Sequence, residues 1–198
     1  MQVSASIDLI IGPMYAGKTT ELLRRLNIYS ALGVKTLYVN STVDSRSDLP
    51  FSTHNPLLKS IGKCDNVKVE NLSHVNYEEY KVIGIDEGQF FNDLKNHVIK
   101  YATKGKKIII SGLNGDYKQE PFGDIINLIP YCDSIDFLTP FCHQCKDRLT
   151  SAPFTKRVGS EKNTISASGE SSEHSTRTFS LKQISVDSSY IPVCRKHR

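Results

Sequence analysis

The sequence lacks any run of about 18 or more apolar residues, the length that a membrane-spanning helix requires. Its first residues also lack the basic segment and apolar core of a signal peptide, which leads us to expect a soluble protein of the cytoplasm. Lysine and arginine form no basic stripe interleaved with aromatic residues, so the net charge of +4 does not indicate nucleic-acid binding. We therefore expect neither a membrane nor a nucleic acid as a partner.

Cysteine is also sparse, and its placement is uneven. Three of the five cysteines, Cys142, Cys145 and Cys194, lie towards the C-terminal end. In a reducing compartment such a cluster favours metal binding over disulfides. Together with His197 they form two C-x-x-[CH] pairs that predict a tetrahedral zinc site, structural because four protein ligands leave no open position. The alternative is that His197 is a tail residue and the three cysteines meet by chance.

What the chain does contain is a glycine-rich segment directly after an apolar strand-like run. The segment consists of Gly12, Pro13, Met14, Tyr15, Ala16, Gly17, Lys18 and Thr19. It matches the phosphate-binding P-loop, GxxxxGK[ST], in which backbone N–H groups, the lysine and a Mg²⁺-binding hydroxyl hold a nucleoside triphosphate. The helix predicted at 20–32 would add its N-terminal dipole. The alternative is a chance match in a glycine-containing turn.

Residues 1–139 alternate between strand-like and helix-like segments. Strands are predicted at 7–11, 35–39, 67–69, 81–86 and 106–111, with helices at 20–32 and 90–104. Such alternation predicts an α/β fold of the P-loop NTPase type, in which helices flank a parallel sheet. The composition changes from Thr139 onwards, so we expect a nucleotide-binding domain at 1–139 and a smaller zinc-stapled domain at 140–198.

Two acidic residues end the strand predicted at 81–86. Asp86 suits a Walker B role, in which a strand-terminal carboxylate holds Mg²⁺. Glu87 would then lie beside the phosphates, where a carboxylate can take a proton from an attacking hydroxyl. The alternative is a solvated acidic turn. Asp44 and Arg46 follow the second predicted strand, and Arg46 could stabilise developing phosphoryl charge, although loop residues of these types are usually solvated.

Apolar and aromatic residues cluster at the predicted strand ends and could line a base-binding pocket. They are Met14, Phe90, Phe91, Leu113, Tyr117 and Phe122. Core packing explains each of them individually just as well, so only their common location near the phosphate site favours a pocket.

Five segments of the chain together resemble one family. In sequence order they read IGPMYAGKTTELLRR, IDEGQFF, GLNGDYKQEPFG, FTKRVGSEK and YIPVCRKH. This pattern is similar to the zinc-containing, cytosolic (type II) thymidine kinases over essentially the whole chain. The resemblance implies transfer of the γ-phosphoryl group of ATP, with Mg²⁺, to the 5′-hydroxyl of thymidine or, secondarily, deoxyuridine. It further implies a lasso loop over the nucleoside, a homotetramer and feedback inhibition by dTTP.

The resemblance also assigns roles to single residues. Glu87 corresponds to the general base, and residues 12–19 correspond to the phosphate loop. Further residues on the ATP side are Asp44, Ser45, Arg46, Asp86 and Gln89. Residues on the nucleoside side are Met14, Phe90, Leu113, Tyr117, Phe122, Thr155, Thr164, Ile165, Ser166, Ala167, Ser168 and Tyr190. The implied metal ligands are Cys142, Cys145, Cys194 and His197 for zinc, and Thr19 and Asp86 for magnesium.

The chain departs from the family pattern in its lasso segment. Residues 170–189 separate Gly169 from Tyr190, where family members have only a few residues.

Two other functions remain open at this point. A P-loop ATPase switch would hydrolyse ATP when its zinc knuckle binds a nucleic acid or protein, without phosphorylating a nucleoside. A degenerate regulatory thymidine-binding protein is disfavoured because Lys18, Asp86 and Glu87 are all present.

Overall fold

The computed structural model of the chain describes residues 3–44, 64–158 and 190–198. Several residues that the sequence assigns to substrate binding lie outside these ranges. They are Ser45 and Arg46 on the ATP side, and Thr164, Ile165, Ser166, Ala167 and Ser168 on the nucleoside side. Among the described residues, no helix combines the length and the apolar character that crossing a membrane requires.

The described elements alternate along the chain as the sequence predicts. The strands are β1 (Ser6–Ile11), β2 (Thr36–Ser41), β3 (Asp65–Val69), β4 (Val82–Ile85), β5 (Lys107–Gly112), β6 (Ser134–Phe137), β7 (Phe154–Arg157) and β8 (Tyr190–Val193). The helices are α1 (Lys18–Ala31) and α2 (Leu94–Thr103), and 3₁₀ turns span Leu72–His74, Gly88–Phe90 and Ile125–Tyr131.

Six strands form one parallel sheet in the order β3-β2-β4-β5-β1-β6. The sheet is in register such that Ile10 of β1 pairs with Ser111 of β5, and Ile85 of β4 pairs with Ile110. Because all six strands run in the same direction, their carboxyl ends meet at one edge, where ligands bind in open α/β sheets. The predicted α/β fold with a parallel sheet is confirmed.

Apolar side chains cover both faces of this sheet. Ile10 faces α1, where it packs in a cluster with Leu22 and Leu26. Leu9 belongs to a larger cluster on the other face, together with Val98 of α2. Successive strand residues point to opposite faces, and a strand covered on both sides is apolar throughout. This burial makes the carboxyl edge of the sheet a rigid base for the site.

Two features of the fold differ from the predictions. The helix predicted at 90–104 begins only at Leu94, because Phe91 is extended (φ −93°, ψ 112°) after the 3₁₀ turn at Gly88–Phe90. The edge strand β6 was not predicted from the sequence. Its residues are mostly exposed and it pairs with β1 through the backbone, so it carries no continuous apolar signal.

The C-terminal part of the described chain forms a separate small sheet. Strands β7 and β8 pair antiparallel, with Thr155 opposite Pro192. Their core is a cluster of four buried residues, Cys142, Ala152, Val193 and Cys194. The domain boundary at 139/140 stays a prediction, although the change from a parallel to an antiparallel sheet is consistent with it.

Candidate active site and metal centre

The segment 12–17 turns sharply between β1 and α1. Its backbone has positive φ angles at Gly12 (153°), Tyr15 (65°) and Gly17 (81°). A Cβ atom at Gly12 would collide with the carbonyl oxygen of Leu138, and such an approach requires glycine. The Nζ atom of Lys18 donates a hydrogen bond to the carbonyl oxygen of Pro13 at 2.7 Å. The lysine therefore folds back over the loop, as a P-loop lysine must to reach bound phosphates.

The carboxylate of Asp86 is buried at the carboxyl end of β4, with 1% of the residue exposed. Its Oδ1 atom accepts hydrogen bonds from the Thr19 hydroxyl at 3.2 Å and from the Glu87 N–H at 3.0 Å. The structure thus brings together the two side chains that the sequence assigns to magnesium. A carboxylate and a hydroxyl oxygen are ligands of the hard type that Mg²⁺ prefers.

Two further hydroxyl groups contact Asp86, and sequence reasoning missed both. Tyr38 of β2 donates to Oδ2 at 2.7 Å, and Ser111 of β5 donates to Oδ1. Loss of hydration, followed by the charge of Asp86, raises the pKa of Tyr38 well above its usual value, so the phenol stays a donor. These two contacts arise because β2 and β5 flank β4 in the sheet. The sequence does not reveal this strand order, so it carries no signal for them.

Glu87 follows Asp86 in a left-handed backbone conformation, with φ 51° and ψ 44°. The residue is buried, and its Oε2 atom accepts a hydrogen bond from the side-chain amide of Gln89 at 2.6 Å. Gln89 was predicted on the ATP side, but its described contacts are with Glu87 and with the N–H of Leu113 at 3.0 Å. A buried carboxylate on the residue that directly follows Asp86 can act as a base towards a hydroxyl.

Asp44 lies shortly after β2, on the same edge of the sheet. It is buried, and its Oδ2 atom accepts a hydrogen bond from the side-chain amide of Asn40 at 3.1 Å. The predicted phosphate-side residue is therefore fixed at the carboxyl edge, like Asp86.

The predicted nucleoside-side residues come together in pairs. Phe90 meets Phe122 edge-on, with ring centroids 5.7 Å apart, and Tyr117 meets Tyr190 at 6.2 Å. The hydroxyl of Thr155 accepts a hydrogen bond from the backbone N–H of Met14 at 3.1 Å. The β7–β8 hairpin thus lies close to the P-loop, and loop 113–122 lies against the hairpin through Tyr117. Sequence reasoning placed Thr155 against the nucleoside and did not foresee its bond to the P-loop.

Cys142, Cys145, Cys194 and His197 converge as the sequence predicts, with all four ligand atoms within 4.8 Å of one another. The Nδ1 atom of His197 lies 3.6, 3.5 and 3.4 Å from the three sulfurs, and the Cys145 and Cys194 sulfurs are 3.8 Å apart. Tetrahedral zinc, with Zn–S near 2.3 Å and Zn–N near 2.0–2.1 Å, separates its ligand atoms by roughly 3.5–3.8 Å. The cluster therefore has the dimensions of a zinc site.

The Cys142 thiol is also prepared electrostatically for a metal. Loss of hydration raises its pKa, but hydrogen bonds from the backbone N–H of Cys194 and from His197 outweigh this and lower the pKa to about 6. A hydrogen bond with Thr150 lowers the pKa of Cys145, but loss of hydration and the neighbouring sulfurs outweigh this and raise it above its usual value. Thiolate is the form that binds metal, so Cys142 is the thiol of this pair that already favours metal binding.

Comparison with known proteins identifies the family. The family model "Thymidine kinase" matches residues 5–198, which is most of the chain. The chain belongs to the thymidine kinase family. Its family relatives include the human protein "Thymidine kinase, cytosolic", which is 36% identical over 85% of this chain and 70% of its own length. A "Thymidine kinase" of vaccinia virus (strain Ankara) is 36% identical over 78% of this chain and 84% of its own length.

The fold extends beyond the thymidine kinase family. The crystal structure of the flagellar accessory protein FlaH from Methanocaldococcus jannaschii superposes with a TM-score of 0.50. It covers 71% of this chain and 73% of its own, at 16% sequence identity. This likeness concerns the fold alone.

Proposed function

We propose that this protein is an ATP-dependent thymidine kinase. It transfers the γ-phosphoryl group of ATP to the 5′-hydroxyl of thymidine, giving dTMP and ADP, and uses deoxyuridine as a secondary substrate. The observation that carries the proposal is the bond between Thr19 and Asp86, with the buried Glu87 next in the chain and its N–H donating to Asp86, in a chain of this family. The product would serve nucleotide salvage for DNA synthesis.

On the donor side, the backbone N–H groups of the P-loop and the ammonium group of Lys18 bind the phosphates of ATP. Thr19 and Asp86 supply the oxygens that hold the Mg²⁺ of the MgATP substrate, and Mg²⁺ neutralises charge on the transferred group. Asp44, Ser45 and Arg46 complete the phosphate side in this proposal. Asp86 is held in a single orientation by its hydrogen bonds, so the metal site is formed before ATP binds.

Glu87 acts as the general base. Its carboxylate accepts the proton of the 5′-hydroxyl, the freed oxygen forms a bond to the γ-phosphorus, and the bond between that phosphorus and ADP breaks. ADP leaves with the electron pair of the broken bond. Since phosphoryl transfer needs little covalent help from the protein, catalysis consists mainly of positioning and charge stabilisation.

On the acceptor side, aromatic and apolar side chains surround the base. We assign this role to Met14, Phe90, Leu113, Tyr117, Phe122, Thr155 and Tyr190, together with lasso residues 164–168. A fixed hydrogen-bonding partner for O4 of thymine rejects the amino group of cytosine strongly, whereas an apolar space for the 5-methyl group contributes about 1–3 kcal/mol. Deoxyuridine is therefore accepted less well than thymidine but better than deoxycytidine.

The metal cluster has a structural role in this proposal. Zinc held by Cys142, Cys145, Cys194 and His197 has no open coordination position, so it fixes the hairpin that carries the lasso.

We further propose residues 1–139 and 140–198 as the two domains, a cytoplasmic homotetramer as the assembly, and dTTP as a feedback inhibitor. The domain boundary rests on the change in composition at Thr139 and the location on the absence of a signal-peptide pattern, whereas the homotetramer and the feedback inhibitor follow from family membership.

A substrate screen tests the proposal. The protein is incubated with Mg²⁺, ATP labelled at the γ-position and each of the four deoxynucleosides or deoxyuridine, and labelled products are separated by chromatography. We expect label in dTMP, less in dUMP, and none in the purine nucleotides. Label appearing only as inorganic phosphate, and rising when a nucleic acid or protein is added, would instead support the ATPase switch.

A further inference from the structure

Gln89 is one of the most deeply buried polar residues beside the candidate base, with 3% of the residue exposed. It lies in the 3₁₀ turn Gly88–Phe90, directly after Glu87. Glutamine is rarely buried to this extent unless its amide is hydrogen-bonded at both ends. We therefore looked for the hydrogen-bonding partners of this amide among the groups around Glu87.

The partners of the amide determine its orientation. The backbone N–H of Leu113 can only donate, so the atom that it meets at 3.0 Å is the amide oxygen Oε1 of Gln89. The amide nitrogen Nε2 must then face the Oε2 atom of Glu87, 2.6 Å away. An ionised carboxylate accepts from this N–H in a charge-assisted hydrogen bond, which is stronger than a bond between neutral groups. Reversing the amide would break both contacts at once.

The surroundings leave the Gln89 side chain little freedom. A Cβ atom added at Gly112 would collide with the Oε1 atom of Gln89, and one added at Gly123 would collide with the Gln89 carbonyl oxygen. Two glycines therefore let β5 and the following loop close directly onto this residue. Such close packing restricts Gln89 to few rotamers, which makes its amide a fixed point.

The backbone of Glu87 adds to the argument. Its φ of 51° is uncommon for a residue other than glycine, and left-handed residues outside turns persist only where the surroundings stabilise them. This conformation sets the direction in which the Glu87 side chain leaves the chain. The bond from Gln89 then sets the position of its carboxylate.

From these contacts we infer that Gln89 is a positioning residue for the base, an inference that rests on the proposed function. Its amide holds the Oε2 atom of Glu87 in place and ties it to Leu113, on the nucleoside side. Base and acceptor loop thereby form one hydrogen-bonded unit. Gln89 acts through Glu87, and the ATP contact that the resemblance implies for it stays a prediction.

Two substitutions break the two contacts. Gln89→Met keeps the size of the side chain and removes both the donor to Glu87 and the acceptor for the Leu113 N–H, and Gln89→Leu does the same with a slightly smaller apolar side chain. We expect kcat for thymidine to fall about 10- to 100-fold in both variants, because a misplaced base loses most of its contribution. KM for ATP should stay within about twofold, since the P-loop is untouched. Asn96→Met, which replaces another side-chain amide on the exposed side of α2, is the control and should keep wild-type kcat.

A double-mutant cycle decides between positioning and a general structural effect. If Gln89 acts through Glu87, adding Gln89→Met to Glu87→Gln causes no further loss of residual turnover, because the group that it positions is already absent. An equal fold-loss in both backgrounds would overturn the inference, as would wild-type kcat in Gln89→Met. Should Gln89→Met fail to fold, the same cycle is run with Gln89→Leu.

The cycle also distinguishes this inference from the proposed function. A wild-type protein that phosphorylates thymidine but shows additive losses refutes only the role of Gln89. A wild-type protein that does not phosphorylate thymidine refutes the proposed function, and the role of Gln89 with it.

Discussion

The phosphate side of the site and the zinc-binding hairpin reach their positions in different ways. Asp86 ends a strand that has a neighbour on each side in a six-stranded sheet with both faces covered. Thr155 belongs instead to a two-stranded hairpin whose core has four buried residues, two of them metal-ligand cysteines. An apolar core of this size contributes little stability by itself, so we expect the hairpin to depend on the zinc that we propose for its cluster.

This difference means that the two proposed substrates depend on different parts of the structure. In the proposed function, the large core holds the groups assigned to ATP, and the hairpin holds part of the groups assigned to the nucleoside. The contact that joins the two regions at the P-loop is the bond from the Met14 N–H to the Thr155 hydroxyl. Damage to the sheet side should therefore affect chemistry, whereas damage to the hairpin should affect nucleoside affinity first.

The largest effect is expected from Glu87→Gln. The amide cannot accept the proton of the 5′-hydroxyl, so kcat should fall about 100- to 10,000-fold, the range that general base catalysis contributes. ATP should still bind, because the P-loop and Asp86 are unchanged. Turnover is measured with excess enzyme, and ATP affinity by calorimetry. Wild-type turnover in this variant would show that Glu87 is not the base.

Cys145→Ser should affect nucleoside binding through the hairpin and leave ATP binding unchanged. Loss of one of four ligands releases zinc, and we expect KM for thymidine to rise about tenfold or more while KM for ATP changes little. Metal analysis and steady-state kinetics measure the two effects. Cys132→Ser is the control, because that thiol bonds the Leu128 carbonyl and lies outside the cluster. Equal zinc content in Cys145→Ser and the wild type would refute the ligand set.

Tyr38→Phe should have a smaller effect, confined to the sheet side. Removing the donor to Asp86 costs about 1–2 kcal/mol of folding stability and loosens a magnesium ligand. We expect the Mg²⁺ concentration for half-maximal activity to rise several-fold. Tyr101→Phe is a matched control, since its buried hydroxyl bonds the Leu72 carbonyl, outside the Asp86 network. If both variants show the same Mg²⁺ dependence, Tyr38 has no role in metal binding.

The smallest effect concerns Glu21, on the exposed side of α1. Hydrogen bonds from Arg24 and Arg25, and their charges, lower its pKa from 4.5 to about 2. A lowered carboxyl pKa stabilises the folded state above about 4.5, and this contribution is lost as the pH falls towards about 2. Glu21→Gln should therefore reduce the free energy of unfolding by less than about 1 kcal/mol at pH 7, because exposed ion pairs contribute little.

Denaturant unfolding at several pH values measures this difference. It should shrink as the pH falls from 4.5 towards 2, while KM for both substrates at pH 7 stays at the wild-type value. A difference that grows in acid would contradict the assigned pKa of Glu21.

Much of the sheet side could be predicted from the sequence. The P-loop and the strand ending at Asp86 carry local patterns, and the fold confirms that Thr19 and Asp86 meet. Tyr38 and Ser111 could not be predicted as partners of Asp86. They are far from Asp86 along the chain and reach it only because the strand order is β2-β4-β5. That order depends on the packing of the whole sheet.

On the hairpin side, the sequence predicted only the residues whose spacing matches that of metal ligands. Two C-x-x-[CH] pairs sufficed to predict that Cys142 and His197 meet, because zinc accepts few ligand types and one geometry. The bond between Thr155 and the P-loop has no such pattern, since a threonine in a short strand looks like many others. The residues assigned to the lasso at 164–168 lie outside the described chain, and their role stays a prediction.

The most direct test of the whole account is whether the γ-phosphoryl group reaches an alcohol or water. Phosphorus NMR of the protein with MgATP and thymidine follows all the products in one sample. The account predicts ADP and dTMP in equal amounts, with the phosphorus on the 5′-oxygen and no inorganic phosphate beyond the background. ADP formed together with inorganic phosphate, with no dTMP, would contradict it.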